Sequence, residues 1–158
     1  MPQAADNGAV EDAPQHEVDL SGEFRLKVDG KGRVTLPAKF RKVLSKDLKV
    51  TLEPTDACVY AFEVPDFNRW VDKLMRSKFS EIKENNREQE WVHRALKSRA
   101  LDVEVDSAGR IMLSSDMRGK CGIDKEIVLV GNGERFEIWD AERYDEQMAQ
   151  VDLSLLFT

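Results

Sequence analysis

The chain is poor in the residues on which most enzyme chemistry draws. Its 158 residues include two cysteines and two histidines. Cys58 and Cys121 are isolated in the sequence and read as small core residues of a cytosolic protein. His16 lies in the N-terminal segment and His93 on a polar helical stretch. Neither has a Cys or carboxylate partner at a metal-ligand spacing. No Gly-rich phosphate loop runs into Lys-Ser/Thr, and no nucleophile elbow is present. The expectation is no catalytic residue, no metal and no cofactor. Long apolar runs are missing too: nothing approaches the roughly 20 residues that a membrane helix needs. The N-terminus lacks the basic start and apolar core of a signal peptide. These absences predict a cytoplasmic protein with no membrane partner.

Lysine and arginine are absent from positions 1–20, which carry five acids. That segment reads as an acidic, disordered tail. Residues 21–50 reverse the sign, with nine bases and three acids, a net of +6. The remainder holds fifteen bases against twenty-two acids, a net of −7. The overall charge of −6 argues against a nucleic-acid partner. A local field, however, decides attraction to phosphate at short range, and here positive charge is concentrated.

The centre of that basic stretch is a motif that the chain carries twice. Asp29-Gly30-Lys31-Gly32-Arg33 recurs as Asp106-Ser107-Ala108-Gly109-Arg110, an offset of 77 (106 − 29). Val28 matches Val105, Leu36 matches Leu113 and Arg41 matches Arg118. Asp47 falls on Asp124, Leu52 on Leu129, Phe62 on Trp139 and Phe67 on Tyr144, with no gap. A fixed offset repeated once predicts two halves of a duplicated fold packed in pseudo-symmetry.

Local patterning supplies the elements. Glu23–Val28 alternates polar and apolar, as a half-buried strand does. Asp29–Gly32 is turn chemistry and Arg33–Leu36 a short second strand, which together predict a hairpin. Pro37 opens a short helix whose apolar face is Phe40, Val43 and Leu44. Strands follow near Lys49–Glu53 and Cys58–Phe62. Phe67, Trp70, Val71, Leu74 and Met75 then form one stripe of a helix. The polar stretch Ser80–Arg99 is helix-forming, with Ile82, Trp91, Ala95 and Leu96 as core anchors. The plan repeats: strand Leu101–Val105, strand Ile111–Leu113, a helix capped by Ser114 or Ser115, and strands Glu126–Val130 and Phe136–Trp139 around a Gly131-Asn132-Gly133 turn. Asp140 caps a last helix bearing Tyr144, Met148 and Val151. The apolar end Leu153–Phe157 docks on the core or on a neighbouring subunit.

Two readings fit the repeated loop. In one, a two-stranded ribbon enters the major groove of DNA. Arg33 and Arg110 then reach base edges or phosphates, Lys31 meets phosphate at the tip, and Lys27, Lys39, Arg41 and Lys42 widen the positive surface. In the other, Asp and Arg four apart merely pair across the turn, and Gly32 serves only its dihedral. Asp29 and Asp106 are turn-formers either way. Because Ala108 stands where Lys31 does, the second loop attracts phosphate less.

The run VDGKGRVTLPAKFR from Val28 to Arg41 closely resembles the first motif of the MraZ family. VDSAGRIML from Val105 and VLVGNGERFEIWD from Val128 resemble its second half. The resemblance spans residues 22–148. It implies a mainly β fold with helices, built as two AbrB-like swapped-hairpin halves (a double-split β-barrel) forming one pseudo-symmetric unit. The expected division is repeat 1 at 23–70, a helical connection at 71–99, repeat 2 at 100–144 and a C-terminal helix end and tail at 145–158. The implied function is sequence-specific DNA binding: regulation of the division and cell-wall gene cluster, with repression of the chain's own operon promoter. Its partners would be double-stranded DNA carrying short direct repeats, and further copies of the chain in a homo-oligomeric ring on the nucleoid. The resemblance makes Asp29, Lys31 and Arg33, with Asp106 and Arg110, the DNA-reading residues. Ser114-Ser115 departs from the Pro common at that point in the family. The alternative is a ring-forming protein-interaction scaffold without specific DNA binding. A single-half AbrB-like regulator is disfavoured by the duplication itself.

Overall fold

Alternation along β1 (Glu23–Lys27) places Phe24 and Leu26 on one side, partly buried against the core. In the computed structural model, which describes residues 16–79, 81 and 86–158, β1 is an edge of a six-stranded antiparallel sheet. The order is β1-β7-β8-β4-β3-β5, with β3 at Asp47–Leu52, β4 at Val59–Glu63, β5 at Leu101–Glu104, β7 at Glu126–Asn132 and β8 at Arg135–Asp140. The remaining two strands among the described residues, β2 (Arg33–Thr35) and β6 (Arg110–Met112), pair with each other in a separate ribbon.

The halves are exchanged strand for strand. β1 pairs with β7 of the second half (Leu26↔Ile127), and β5 pairs with β3 of the first (Leu48↔Val103). β4 and β8 meet at the centre, Val59 opposite Ile138. The local hairpin expected of β1 and β2 is therefore not formed. The chain does turn at Asp29–Arg33, but β1 and β2 leave that turn to pair with different strands of the other half. The exchange gives each strand a ladder and lets Val34 and Ile111 meet across the pseudo-twofold axis, both sealed from solvent. Mainly β, with five α-helices among the described residues and two pseudo-symmetric halves, is the architecture that the family resemblance implies.

One face of the six-stranded sheet and the β2–β6 ribbon enclose the main core. Val34, Leu36, Phe40, Ile111 and Leu113 pack there against Val50, Ile127, Leu129, Phe136 and Ile138. A second cluster, Phe62, Phe67, Trp70, Val71 and Met75, fixes the stripe of helix α2 (Val64–Lys78). Helix α3 (Arg87–Ser98) reaches that cluster through Leu96, with Ala100 just beyond its end. Trp91 was expected among the core anchors, but it is 61% exposed, with the Arg94 guanidinium 4.2 Å from its ring centre. Gln89 takes the buried place instead, donating to the carbonyl of Glu81 at 2.9 Å. Ile82 and residues 1–15 of the expected tail lie outside the described residues. Leu20, at the end of that tail segment, is buried and bridges Gly133.

The gapless register also needs correction. Leu26 and Val103 are equivalent at 77 (103 − 26), so their partners Ile127 and Leu48 are equivalent at 79 (127 − 48). Asp47 and Leu52 therefore correspond in space to Glu126 and Gly131, not to Asp124 and Leu129. Helix α1 (Ala38–Arg41) has four residues and its counterpart α4 (Ser115–Lys120) has six, which introduces the shift. A shorter β7–β8 connection removes it, because Gly131 and Asn132 of the expected turn extend β7. By the starts of α2 and α5 (Ala141–Met148) the offset is 77 again (141 − 64). The Ser114 hydroxyl caps α4, accepting from the Met117 N–H at 3.2 Å, and Asp140 caps α5.

Candidate nucleic-acid interface

Each Asp-x-x-x-Arg loop is closed by the same set of bonds. Asp29 Oδ1 accepts from the backbone N–H groups of Lys31 and Arg33, both at 2.9 Å, and Oδ2 accepts from Arg33 Nε at 2.8 Å. In the backbone, Asp29 N–H donates to the Arg33 carbonyl and Gly32 N–H to that of Asp29, each at 3.0 Å. The second loop repeats every one of these. Asp106 Oδ1 accepts from Ala108 and Arg110 N–H at 2.9 Å, and Oδ2 from Arg110 Nε at 3.0 Å.

These bonds hold the Asp29 carboxyl well below the usual carboxylate range, at about 2. The backbone N–H of Arg33 contributes most, and the Arg33 guanidinium and the Lys31 N–H add to it. Asp106 is lowered by the matching donors, Arg110 N–H first. Pairing of Asp with Arg across the turn is therefore present in both loops. It also aims the arginine. Only Nε is used, and neither terminal nitrogen of Arg33 or Arg110 has a hydrogen-bond partner among the described residues. With Nε taken, the end-on pair of terminal nitrogens is the edge left for bidentate recognition.

The ribbon decides where the edges point. Val34 and Ile111 face the core, so the period of two puts Arg33, Thr35, Arg110 and Met112 outward. Arg33 stands opposite Met112 and Arg110 opposite Thr35. The two arginines are diagonal neighbours on one face, with Cβ atoms about 7 Å apart by strand geometry.

The other basic candidates are distributed around this face. Lys31 is exposed at the tip of its loop, and Lys27 is exposed at the end of β1. Lys39 turns away to Ser21, donating to its carbonyl at 2.9 Å and its hydroxyl at 3.3 Å. Arg41 lies over Gly109, in the opposite loop. Arg118, which sequence reasoning left out of the site, lies in the same way over Gly32. The signal for it was present, since Arg118 is the match of Arg41 in the repeat. Gly32 (φ +84°) and Gly109 (φ +79°) occupy the left-handed region. A Cβ on Gly32 would stand 2.9 Å from the Leu113 carbonyl oxygen and 3.0 Å from Arg118 Nη2. On Gly109 it would stand 2.8 Å from Arg41 Cζ.

Known proteins resemble this chain across both halves. The family model described as "MraZ protein, putative antitoxin-like" matches residues 20–89 and 96–156, one segment around each loop. The protein named "Transcriptional regulator MraZ" in Burkholderia cenocepacia is 34% identical over 138 residues, covering 84% of this chain and 91% of that protein. Its namesake in Burkholderia mallei is 34% identical over 129 residues, covering 79% of this chain and 84% of that one. With both motif-bearing halves matched by one family model and the relatives matched over most of their length, the chain belongs to the MraZ family.

Proposed function

We propose that this protein regulates transcription by binding double-stranded DNA sequence-specifically through the β2–β6 ribbon. One observation carries the reading. Arg33 and Arg110 project from a single ribbon face, each clamped at Nε with its terminal nitrogens free. A two-stranded ribbon fits the major groove, where a guanidinium bonds guanine O6 and N7 in bidentate fashion. Clamping the arginine beforehand lowers the ordering cost of that contact. Lys31 and Lys27 supply phosphate contacts that position the ribbon, Lys39 joins them when it leaves Ser21, and Arg41 acts on the Asp106–Arg110 loop through Gly109. Asp29 and Asp106 orient their arginines and stay off the duplex.

The target in this reading is short direct repeats in the promoter of the division and cell-wall gene cluster, the chain's own operon, with repression as the outcome. A homo-oligomeric ring on the nucleoid, in the cytoplasm, presents several ribbons to those repeats. The repeats 23–70 and 100–144 form the reading unit, and 71–99 links them. Footprinting on the DNA upstream of its own gene, at several salt concentrations, tests the proposal. Protection at repeated short sites, weakening as salt rises, is expected. Protection with no site preference would overturn sequence-specific reading.

A second reading is an assembly scaffold whose loops bind protein. It is favoured by the C-terminal 3-10 helix Leu153–Phe157, where Leu153, Leu155, Leu156 and Phe157 are exposed at 66–93%. Loss of heparin retention with rising salt separates the two, because only the DNA reading requires it.

A further inference from the structure

The strand exchange carries charge across the halves as well as backbone. We infer that each reading loop is completed by an arginine of the opposite half: Arg118 positions the Asp29–Arg33 loop, and Arg41 positions the Asp106–Arg110 loop. The inference rests on the DNA-reading role proposed for those loops.

Backbone bonds already tie each loop to the other half. Leu113 N–H donates to the Gly32 carbonyl, and Val28 N–H donates to the Lys125 carbonyl, each at 2.8 Å. Their counterparts are Leu36 N–H to Gly109 and Val105 N–H to Lys46, also at 2.8 Å. Onto this frame each half lays one guanidinium. Arg118 Nε donates to the Leu113 carbonyl at 3.2 Å, and its terminal nitrogen covers the open side of Gly32. Arg118, Leu113 and Gly32 thus form one connected chain. Gly32 is buried although it sits in a surface loop, and Arg118 is part of what covers it. Arg41 covers Gly109, and with Leu36 and Lys46 it borders a recess beside Asp106 and Gly109.

Two consequences follow. Each glycine is needed for the arginine that crosses it as well as for its dihedral. The second loop, which lacks a tip lysine, is bordered by bases from the strongly positive segment 21–50, so its deficit is partly offset. Arg41 has no side-chain hydrogen bond among the described residues, whereas Arg118 is anchored. Arg118 is therefore the stronger positioning residue.

A double-mutant cycle on a labelled duplex of the DNA upstream of the gene tests the crossing. Arg118→Ala is expected to weaken binding on the order of tenfold in the wild-type and Arg110→Ala backgrounds, and to add little in the Arg33→Ala background. Arg41→Ala is expected to couple to Arg110 in the same way. Coupling of Arg118 to Arg110, or full additivity with both loop arginines, would overturn the inference. Amide exchange without DNA is the independent arm. Arg118→Ala should speed exchange at Lys31, Gly32 and Arg33 and leave Ala108–Arg110 unchanged. If wild-type protein ignores the duplex while exchange responds as stated, the DNA reading fails and the composite loop stands. If exchange is unmoved, the composite loop fails. Arg118→Lys keeps the charge but loses the planar Nε bond, and replaces the alanine variant should that one not fold.

Discussion

The Asp29 carboxylate accepts three hydrogen bonds from one short loop, and that donor set decides both its charge and the aim of Arg33. Its pKa is about 2 in the folded protein against about 3.9 unfolded, so its contribution to stability is complete above the unfolded value. That contribution disappears as pH falls through the folded value. A carboxyl titration followed by NMR should give Asp29 a midpoint near 2, with the Lys31 and Arg33 amides moving at the same pH. A midpoint in the ordinary range would mean that the loop is not preformed. Asn in place of Asp29 keeps an oxygen for the two backbone donors but cannot accept from Nε while doing so. Asp29→Asn should therefore hold the turn, free the guanidinium and weaken DNA binding severalfold. Arg33→Ala should weaken specific binding on the order of 10- to 100-fold with the fold intact, since a bidentate base contact is worth about 1–3 kcal/mol. Arg110→Ala should cost less, because Ala108 stands where Lys31 does. Equal losses on the same fragment would refute the asymmetry.

At the level of elements, the three-residue strands β2 and β6 are the smallest parts of the fold and the ones that aim the site. Their hold comes from the core side. Val34 and Ile111 are fully buried opposite one another, and truncating such a residue leaves a cavity on the axis. Ile111→Ala should cost about 2–5 kcal/mol in denaturant unfolding. It should also weaken DNA binding, because the arginines ride on the same strands. A small stability change would mean that the ribbon is not the lid of the core. The turn at Asp29–Gly32 was legible from its residues, and so was the Ser114 cap, whose hydroxyl geometry is local. The partner of β2 was not legible, because a turn specifies a change of direction and not which strand pairs next. Trp91 was misread for a similar reason. Periodicity along a helix gives a face, but the neighbouring helix decides which part of that face is covered.

For the whole molecule, the proposed function gives one ribbon two arginines for base reading, too few for tight binding alone. Further copies in an oligomer would multiply them by raising the effective concentration of each next ribbon. Light scattering coupled to gel filtration should find a homo-oligomer at micromolar concentration. Deleting 153–158 should weaken it, because an exposed apolar end is costly on a monomer. Engagement of eight phosphates would give a slope of about −7 in log K against log salt. A monomer that binds its operator tightly would remove the multivalent mechanism. Among positions 1–15 are three of the five acids of the tail, Asp6, Glu11 and Asp12. Removing 1–15 spares the buried Leu20 and should tighten non-specific binding at low salt, with the effect fading as salt rises. Unchanged affinity at low salt would remove the electrostatic role of the tail.

The amino-acid sequence by itself determined the duplication, the two turns and the identity of Arg33 and Arg110. Each of these is written in residues close together or repeated at a constant spacing. It also carried the equivalence of Arg41 and Arg118, though not its meaning. The tertiary structure alone decided that strands are exchanged, that β3 and β7 are related at 79 rather than 77 (127 − 48), and that each loop is covered by an arginine of the other half. The reason is physical. Turn chemistry acts over about four residues, whereas a pairing ladder and a buried axis are settled by competition among all the strands the chain can bring together. The exchanged arrangement gives every strand a partner and seals Val34 against Ile111.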